Sequence, residues 1–162
     1  TINQAMIAGL ERLKASGIQV IWQTGKIYYE DALNAYEPYR CDEIKVMDFL
    51  SRMDYAYAVA DLVVSRAGAS SISELCAAHK ASIFVPSPNV TEDHQTHNAM
   101  ALVRKDAAMI VKDSEAVEKL METACSLIED PEKIALIERN AAAMAKTDAA
   151  QTIADEVYKI IG

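Results

Sequence analysis

Apolar positions along this chain follow two alternating rhythms, one of 3.6 residues and one of short continuous runs. Ile2, Met6, Leu10 and Leu13 share one helical face, and Gly17 stands where a glycine closes a helix. A strand is predicted over 18–22, a loop over 23–26 and a short helix over 27–35. Further strands are predicted over 43–46, 61–65, 81–85 and 107–111, with helices over 53–60, 71–78 and 93–104 between them. Tyr55, Tyr57 and Val59 leave the period of the 53–60 segment ambiguous. Pro86 ends the strand at 81–85, because proline has no N–H to give to a ladder. From Ser114 the pattern is helical to the end, broken at Asp130-Pro131, where proline suits the first turn of a new helix. Met100 to Val103 and the alanine-rich Asn140 to Met144 read as core-facing helix surface.

Short strands alternating with helices predict an α/β fold with a doubly wound parallel sheet. Ligands of such sheets bind beyond the carboxyl ends of the strands, so the loops at 23–26, 47–52, 66–71 and 86–95 are expected on one rim. The 162 residues suit one domain, and 51% apolar with 25% charged residues is ordinary for a soluble globular chain. A net charge of −8 argues against a nucleic-acid surface and gives no basic membrane patch. No apolar run is long enough to span a bilayer and no signal peptide is visible. The chain starts at Thr1 inside a helical pattern and so reads as a fragment. Cys41, Cys76 and Cys125 are odd in number and widely spaced, and read as reduced cytosolic thiols rather than a disulfide frame or zinc site.

The densest chemistry lies in Ser65-Arg66-Ala67-Gly68-Ala69-Ser70-Ser71-Ile72-Ser73-Glu74, a glycine turn between a buried strand and a helix. Gly68 lets the backbone approach a ligand, Ser70 or Ser71 can cap the helix, and Ser71 with Glu74 has capping-box spacing. The first-turn N–H groups of such a helix favour an anion. The same turn is equally an ordinary capped strand-to-helix connection. Glu74 either completes the capping box or accepts hydrogen bonds from a sugar diol. Arg66 is either a surface charge or a donor to a hydroxyl or phosphate. Thr91 to Asn98 is rich in hydrogen-bonding groups, as suits a polyhydroxylated ligand or simply a polar helix start. His94 and His97 lack a third ligand at metal-binding spacing, so no metal is expected, and three histidines support no Ser-His-Asp triad.

Taken in order, Trp22-Gln23-Thr24-Gly25-Lys26, Phe49-Leu50, Met53, Tyr57 to Asp61, Ser65 to Leu75, Phe84-Val85-Pro86, Glu92 to Gln95 and Asn98-Ala99 resemble the carboxyl-terminal half of the MurG family of N-acetylglucosaminyltransferases. The resemblance implies a Rossmann-like domain, residues 1–162, binding a nucleotide-sugar donor within a two-domain GT-B enzyme. That enzyme would move N-acetylglucosamine from UDP-N-acetylglucosamine to lipid I, giving lipid II for peptidoglycan, and so bear on cell shape and division. It implies no metal and no other cofactor, since helix N-termini and backbone amides would carry the charge of the leaving diphosphate. Leu50 matches the position whose backbone recognises uracil, and Ala69, Ser70 and Ser71 match the turn that meets the diphosphate and sugar. Glu74 matches the ribose-binding carboxylate, and Gln95 the amide that holds donor-sugar hydroxyls. Arg66, Gly68, Ile72 and Ser73 belong to the same loop and turn, while His94 stands where some members carry a second glutamine.

The family's glycine-rich loop before Asn3, the strand feeding it and the amino-terminal acceptor domain are not in this sequence. The family's sheet would therefore lack its first, central strand, between the strands at 18–22 and 61–65. A gap or unpaired edge is expected there, unless the molecule carries residues that this sequence omits, the flanking strands close up or another chain fills the slot. This piece alone is expected to bind the donor and not to transfer sugar. Lipid I would meet the missing domain, and the enzyme would sit peripherally on the cytoplasmic face of the bacterial inner membrane. Two rivals share this half: UDP-N-acetylglucosamine 2-epimerase, and the donor-binding subunit of two-chain N-acetylglucosamine transferases.

Overall fold

A computed structural model describes residues 1–90 and 93–161. Thr91 and Glu92 of the polar cluster, and the final Gly162, lie outside the described residues.

The first helical face is cut at Gly9 into α1 (Ile2–Ala8) and α2 (Leu10–Ser16). Met6, Leu10 and Leu13 are buried along it as the spacing requires. Gly9 lies against Met121: a Cβ there would meet the Met121 Cγ at 2.2 Å and Cβ at 2.8 Å. Gly17 closes α2 at φ 69°, the left-handed position that favours glycine. The first strand, β1 (Val20–Gln23), begins two residues later than its apolar run, because Val20 to Gln23 pair in parallel register with β2 (Ile44–Met47). A 3-10 turn at Lys26–Tyr28 precedes α3 (Tyr29–Tyr36), and a second, Glu37–Tyr39, follows it. Then come α4 (Met53–Val59), β3 (Leu62–Ser65), α5 (Ala69–Ala77), β4 (Ala81–Phe84), α6 (His94–Val103) and β5 (Met109–Ile110).

The tail is less continuous than its apolar pattern predicts. Asp130 caps α8 (Pro131–Ala142) by accepting from the Lys133 N–H at 3.0 Å, with Pro131 in the first turn as expected. A second break, not anticipated, separates α8 from α9 (Ala149–Ile161). Met144 and Ala145 bond back to the Ala141 and Ala142 carbonyls, and Thr152 N–H bonds to Asp148. The segment Lys146-Thr147-Asp148 thus ends one helix and starts another. The remaining tail helix is α7 (Ala116–Ile128), which packs on α1, α2 and α8.

Among the described residues all strand pairs are parallel, and they fall into two sheets, β1-β2 and β3-β4-β5, with no hydrogen-bonded pairing between β1 and β3. The flanking strands do not close up. The sheets are joined instead through one hydrophobic core. Trp22 and Ile44 from the first sheet, Ala81, Ile83 and Val85 from the second, and Leu10, Leu120 and Met121 from the helices share it. The opposite face carries a second core of Leu75, Cys76, Phe84, Ala99, Leu102 and Ala141. Residues of β4 therefore alternate between two cores, and all four are buried, as a strand covered on both faces demands. This is the doubly wound arrangement, with the carboxyl ends of the strands forming a rim. Among the described residues, no helix is long and apolar enough to cross a membrane.

Candidate functional site

The rim loops meet in two pairs. On the first sheet, the Thr24 N–H and hydroxyl both donate to the Met47 carbonyl, at 2.9 and 3.2 Å. Leu50 N–H donates to the Gln23 Oε1 at 2.8 Å. Phe49, beside Leu50, leaves 61% of its surface exposed, so an aromatic ring stands open next to a backbone group expected to read a base. Gly25 takes φ 78° and ψ 148°, a conformation available in practice only to glycine, and this turns the chain sharply off β1.

On the second sheet the loop from Ser65 to Gly68 is held from beneath by α6. The Gln95 Oε1 accepts from the Ala67 N–H at 3.2 Å and the Ser87 N–H at 2.9 Å. The Asn98 amide donates to the Ala67 carbonyl at 3.3 Å. Two N–H donors fix which end of the Gln95 amide is the oxygen, so its Nε2 group takes part in neither bond. Arg66 turns inward as well. Its Nη1 donates to the Val85 carbonyl (3.1 Å), the Pro86 carbonyl (3.3 Å) and Asp113 Oδ1 (2.5 Å). Thr1 donates its hydroxyl to the other Asp113 oxygen at 2.9 Å. Burial alone would raise the Asp113 carboxyl, but the Arg66 and Thr1 hydrogen bonds and the Arg66 charge outweigh it and hold it below the usual carboxylate range. Arg66 is thus a brace across the ends of β3 and β4 and the segment after β5.

The helix that follows corrects one expectation. It starts at Ala69 with Gly68 as its N-cap, and no side chain caps it. Ser71 lies inside the first turn, so Ser71 and Glu74 form no capping box. A glycine cap brings no oxygen of its own, and the amides of Ala69, Ser70 and Ser71 precede the first intrahelical bond, Ile72 N–H to the Gly68 carbonyl at 3.0 Å. Ala69 and Ser70 are exposed there. Gly68 has φ −66°, and a Cβ would meet only Ser71 Oγ, at 3.8 Å. The fold itself therefore does not require glycine at this position. Ile72 turns inward against the second core, while Ser73 and Glu74 are exposed. Tyr57 Oη reaches Glu74 Oε2 at a long 3.4 Å. Burial, then the nearby Glu74 charge and this contact, raise the Tyr57 hydroxyl above its ordinary value. Glu74 thus stands one turn from the open amides with a phenol on its flank.

His94 opens α6 and is exposed. Among the described residues, no three His, Cys, Asp or Glu side chains gather as metal ligands would. Sequence reasoning did not single out Gln23, Tyr57 or Asp113 as site residues, and named Asn98 only as a member of the polar cluster 91–98. Asp113 lies 47 residues from Arg66, and no local signal could have paired them. Asn98 sits three positions after Gln95 on a helix predicted from its periodicity, and that spacing puts both amides on one face.

The strand order, the two cores and the shared rim define a Rossmann-type α/β domain. A family model, Glycosyltransferase family 28 C-terminal domain, matches residues 1–155, and the chain belongs to that family. It is 50% identical over 161 residues to the UDP-N-acetylglucosamine--N-acetylmuramyl-(pentapeptide) pyrophosphoryl-undecaprenol N-acetylglucosamine transferase of Parabacteroides distasonis, covering 99% of this chain and 44% of that protein. The protein of the same name from Porphyromonas gingivalis (strain W83) is also 50% identical over 161 residues, covering 99% and 42%. The crystal structure of Acinetobacter baumannii MurG is similar with a TM-score of 0.79 and 29% identity, over 94% of this chain and 48% of that one. The kitacinnamycin glycotransferase shares the fold, with a TM-score of 0.60 and 15% identity over 92% and 38% of the two chains. The chain spans less than half the length of the curated relatives it matches, and corresponds to their carboxyl-terminal portion.

Proposed function

We propose that this chain is the donor-binding part of a transferase that moves N-acetylglucosamine from UDP-N-acetylglucosamine to lipid I, forming lipid II on the cytoplasmic face of a bacterial membrane. The names carried by its half-identical relatives support the reaction class. The acceptor lipid would be handled by the part of those relatives that this chain does not span. One observation carries the donor assignment: the uncapped first turn of α5, exposed at Ala69 and Ser70, with the Glu74 carboxylate one turn further on. Three free amides and a helix dipole suit a diphosphate. A carboxylate at that offset suits the paired hydroxyls of a ribose. The outward Nε2 of Gln95 offers a donor to sugar hydroxyls, and the Leu50 backbone beside Phe49 suits a pyrimidine ring.

Calorimetric titration of UDP-N-acetylglucosamine into the chain and its Glu74→Ala variant tests this. Losing hydrogen bonds to a charged acceptor should cost about 1.5–3 kcal/mol, roughly 10- to 100-fold in affinity. Equal binding by both proteins would remove Glu74 from the site. No binding by the folded wild-type chain would overturn the donor reading.

A further inference from the structure

Residues 48–51 form the part of the rim that carries Phe49 and Leu50. Among the described hydrogen bonds, a single one ties this segment to the rest of the chain: Leu50 N–H to Gln23 Oε1, at 2.8 Å. The partner is a side-chain amide carbonyl at the end of β1, exposed to solvent, with no described bond on its Nε2. The Gln23 backbone is fixed by the β1-β2 ladder, opposite Met47, so only the side chain is free to leave.

Uracil presents an N–H flanked by two ring carbonyls. An edge with neighbouring donor and acceptor is matched by one residue's carbonyl and N–H together. In this structure the Leu50 N–H is already taken, and its occupant is an amide carbonyl, chemically equivalent to a ring carbonyl of the base. We propose that Gln23 is a displaceable stand-in for that ring carbonyl: it holds the 48–51 segment in its base-reading shape, then yields the Leu50 N–H to the incoming pyrimidine. This inference rests on the donor-binding reading above.

The exchange leaves no N–H unpaired at either end, because one carbonyl replaces another. The stand-in also competes with the base for the same N–H. Gln23 thereby converts base recognition from a source of affinity into a filter, since a ring offering an amino group instead of a carbonyl cannot take over the bond. Nothing else in the described rim supplies an acceptor to Leu50.

The test uses UDP and the diphosphate of a 2-pyrimidinone riboside, which lacks the 4-oxo group and with it the ring N–H, a second loss common to all proteins compared, titrated into wild type, Gln23→Met and Gln23→Ala. Removing the competitor should tighten UDP binding roughly two- to tenfold in both variants, the worth of one ordinary hydrogen bond. Loss of the 4-oxo group should cost the variants more than wild type by a similar factor, because in wild type Gln23 re-forms its bond to Leu50. Folded variants that bind UDP more weakly would make Gln23 a fixed support and overturn the inference. An identical 4-oxo cost in all three proteins would overturn it too. Wild type that binds UDP, with Glu74→Ala weakened but the Gln23 variants unchanged, sinks this inference alone. Failure of folded wild type to bind UDP sinks the donor reading and this one with it.

Discussion

Gln95 does two things with the two ends of one amide, and substitution can separate them. Its Oε1 accepts from the Ala67 and Ser87 N–H groups at 3.2 and 2.9 Å, while its Nε2 points away from both. Ala67 is fully buried, and Ser87 is half-buried at the end of a strand exit. In Gln95→Met both donors lose their acceptor. A buried N–H left unpaired costs about 1–3 kcal/mol, and the Ser87 group less because water reaches it, so the loss should total about 1.5–4 kcal/mol. Gln95→Glu keeps an acceptor oxygen in the same place, turns the outward donor into a second acceptor and adds a negative charge, whose repulsion of a diphosphate acts on UDP and UDP-N-acetylglucosamine alike. Its stability should lie within about 1 kcal/mol of wild type. Urea unfolding measures the first effect. Calorimetry with UDP and UDP-N-acetylglucosamine measures the second, because a contact to the sugar contributes only to the larger ligand. In Gln95→Glu the affinity gained from the sugar should shrink while the fold persists. Gln95→Met as stable as wild type would refute the brace. An unchanged sugar contribution in Gln95→Glu would refute the outward donor.

Three further outcomes follow from the same geometry. Gly9→Ala should destabilise the chain by up to about 2 kcal/mol in urea unfolding, since overpacking against Met121 costs about 1–3 kcal/mol and the gain over glycine returns about 1; on a Met121→Ala background, which removes the Cγ but opens a cavity of its own, the same Gly9 substitution should cost less than it does in the wild type. Asp113 has a depressed pKa, so its contribution is complete above the unfolded carboxylate value of about 3.9 and is lost as pH falls through the lower folded value. Asp113→Asn should lower the urea midpoint near neutrality by the equivalent of about 1–2 kcal/mol, moderated because Arg66 is 34% exposed, and should flatten the decline on the acid side. Gly68→Ala should leave stability within about 0.5 kcal/mol, since a Cβ meets only Ser71 Oγ at 3.8 Å, yet weaken UDP binding by about tenfold or more, seen by calorimetry.

The sequence disclosed element types far better than their ends. Strands were legible because Leu62-Val63-Val64 and Ala81-Ser82-Ile83-Phe84 are short apolar runs between turn residues, and burial on both faces of a parallel sheet needs such runs. The start of α5 was misplaced because Ser70 and Ser71 are good caps by type, whereas the chain turns at Gly68, which caps without a side chain. The left-handed residues His79 and Asp106 had no signal either. Each follows a helix end that a glycine would ordinarily close, and their φ values of 55° and 51° are set by bonds from Lys80 and Ala107 back into the preceding helices. The site was legible as a set of loops and not as a network. Periodicity brings 23–26, 47–52, 66–71 and 86–95 to one rim, but no pattern says that Gln95 faces Ala67 or that Arg66 reaches Asp113.

What joins the two halves of that rim is the first turn of α1. The loops proposed to read the base ride on β1 and β2, those proposed to hold phosphate and sugar on β3, β4 and β5, and among the described residues no ladder connects the two sheets. Asn3 donates to the Thr24 carbonyl and accepts from the Trp22 indole N–H, both at 2.9 Å, which ties α1 to the end of β1. Two residues earlier, Thr1 donates to Asp113, whose other oxygen holds Arg66, which ties the same turn to the ends of β3 and β4. A nucleotide bound as proposed, from Leu50 to Ala69, needs those loops at a fixed separation, and side-chain bonds from one helical turn set it where backbone pairing does not. The clasp is in turn pressed into place by α7, since α1 abuts it and Gly9 leaves no room beside Met121. Packing far from the rim thus governs whether its two sides face each other at the spacing of one ligand.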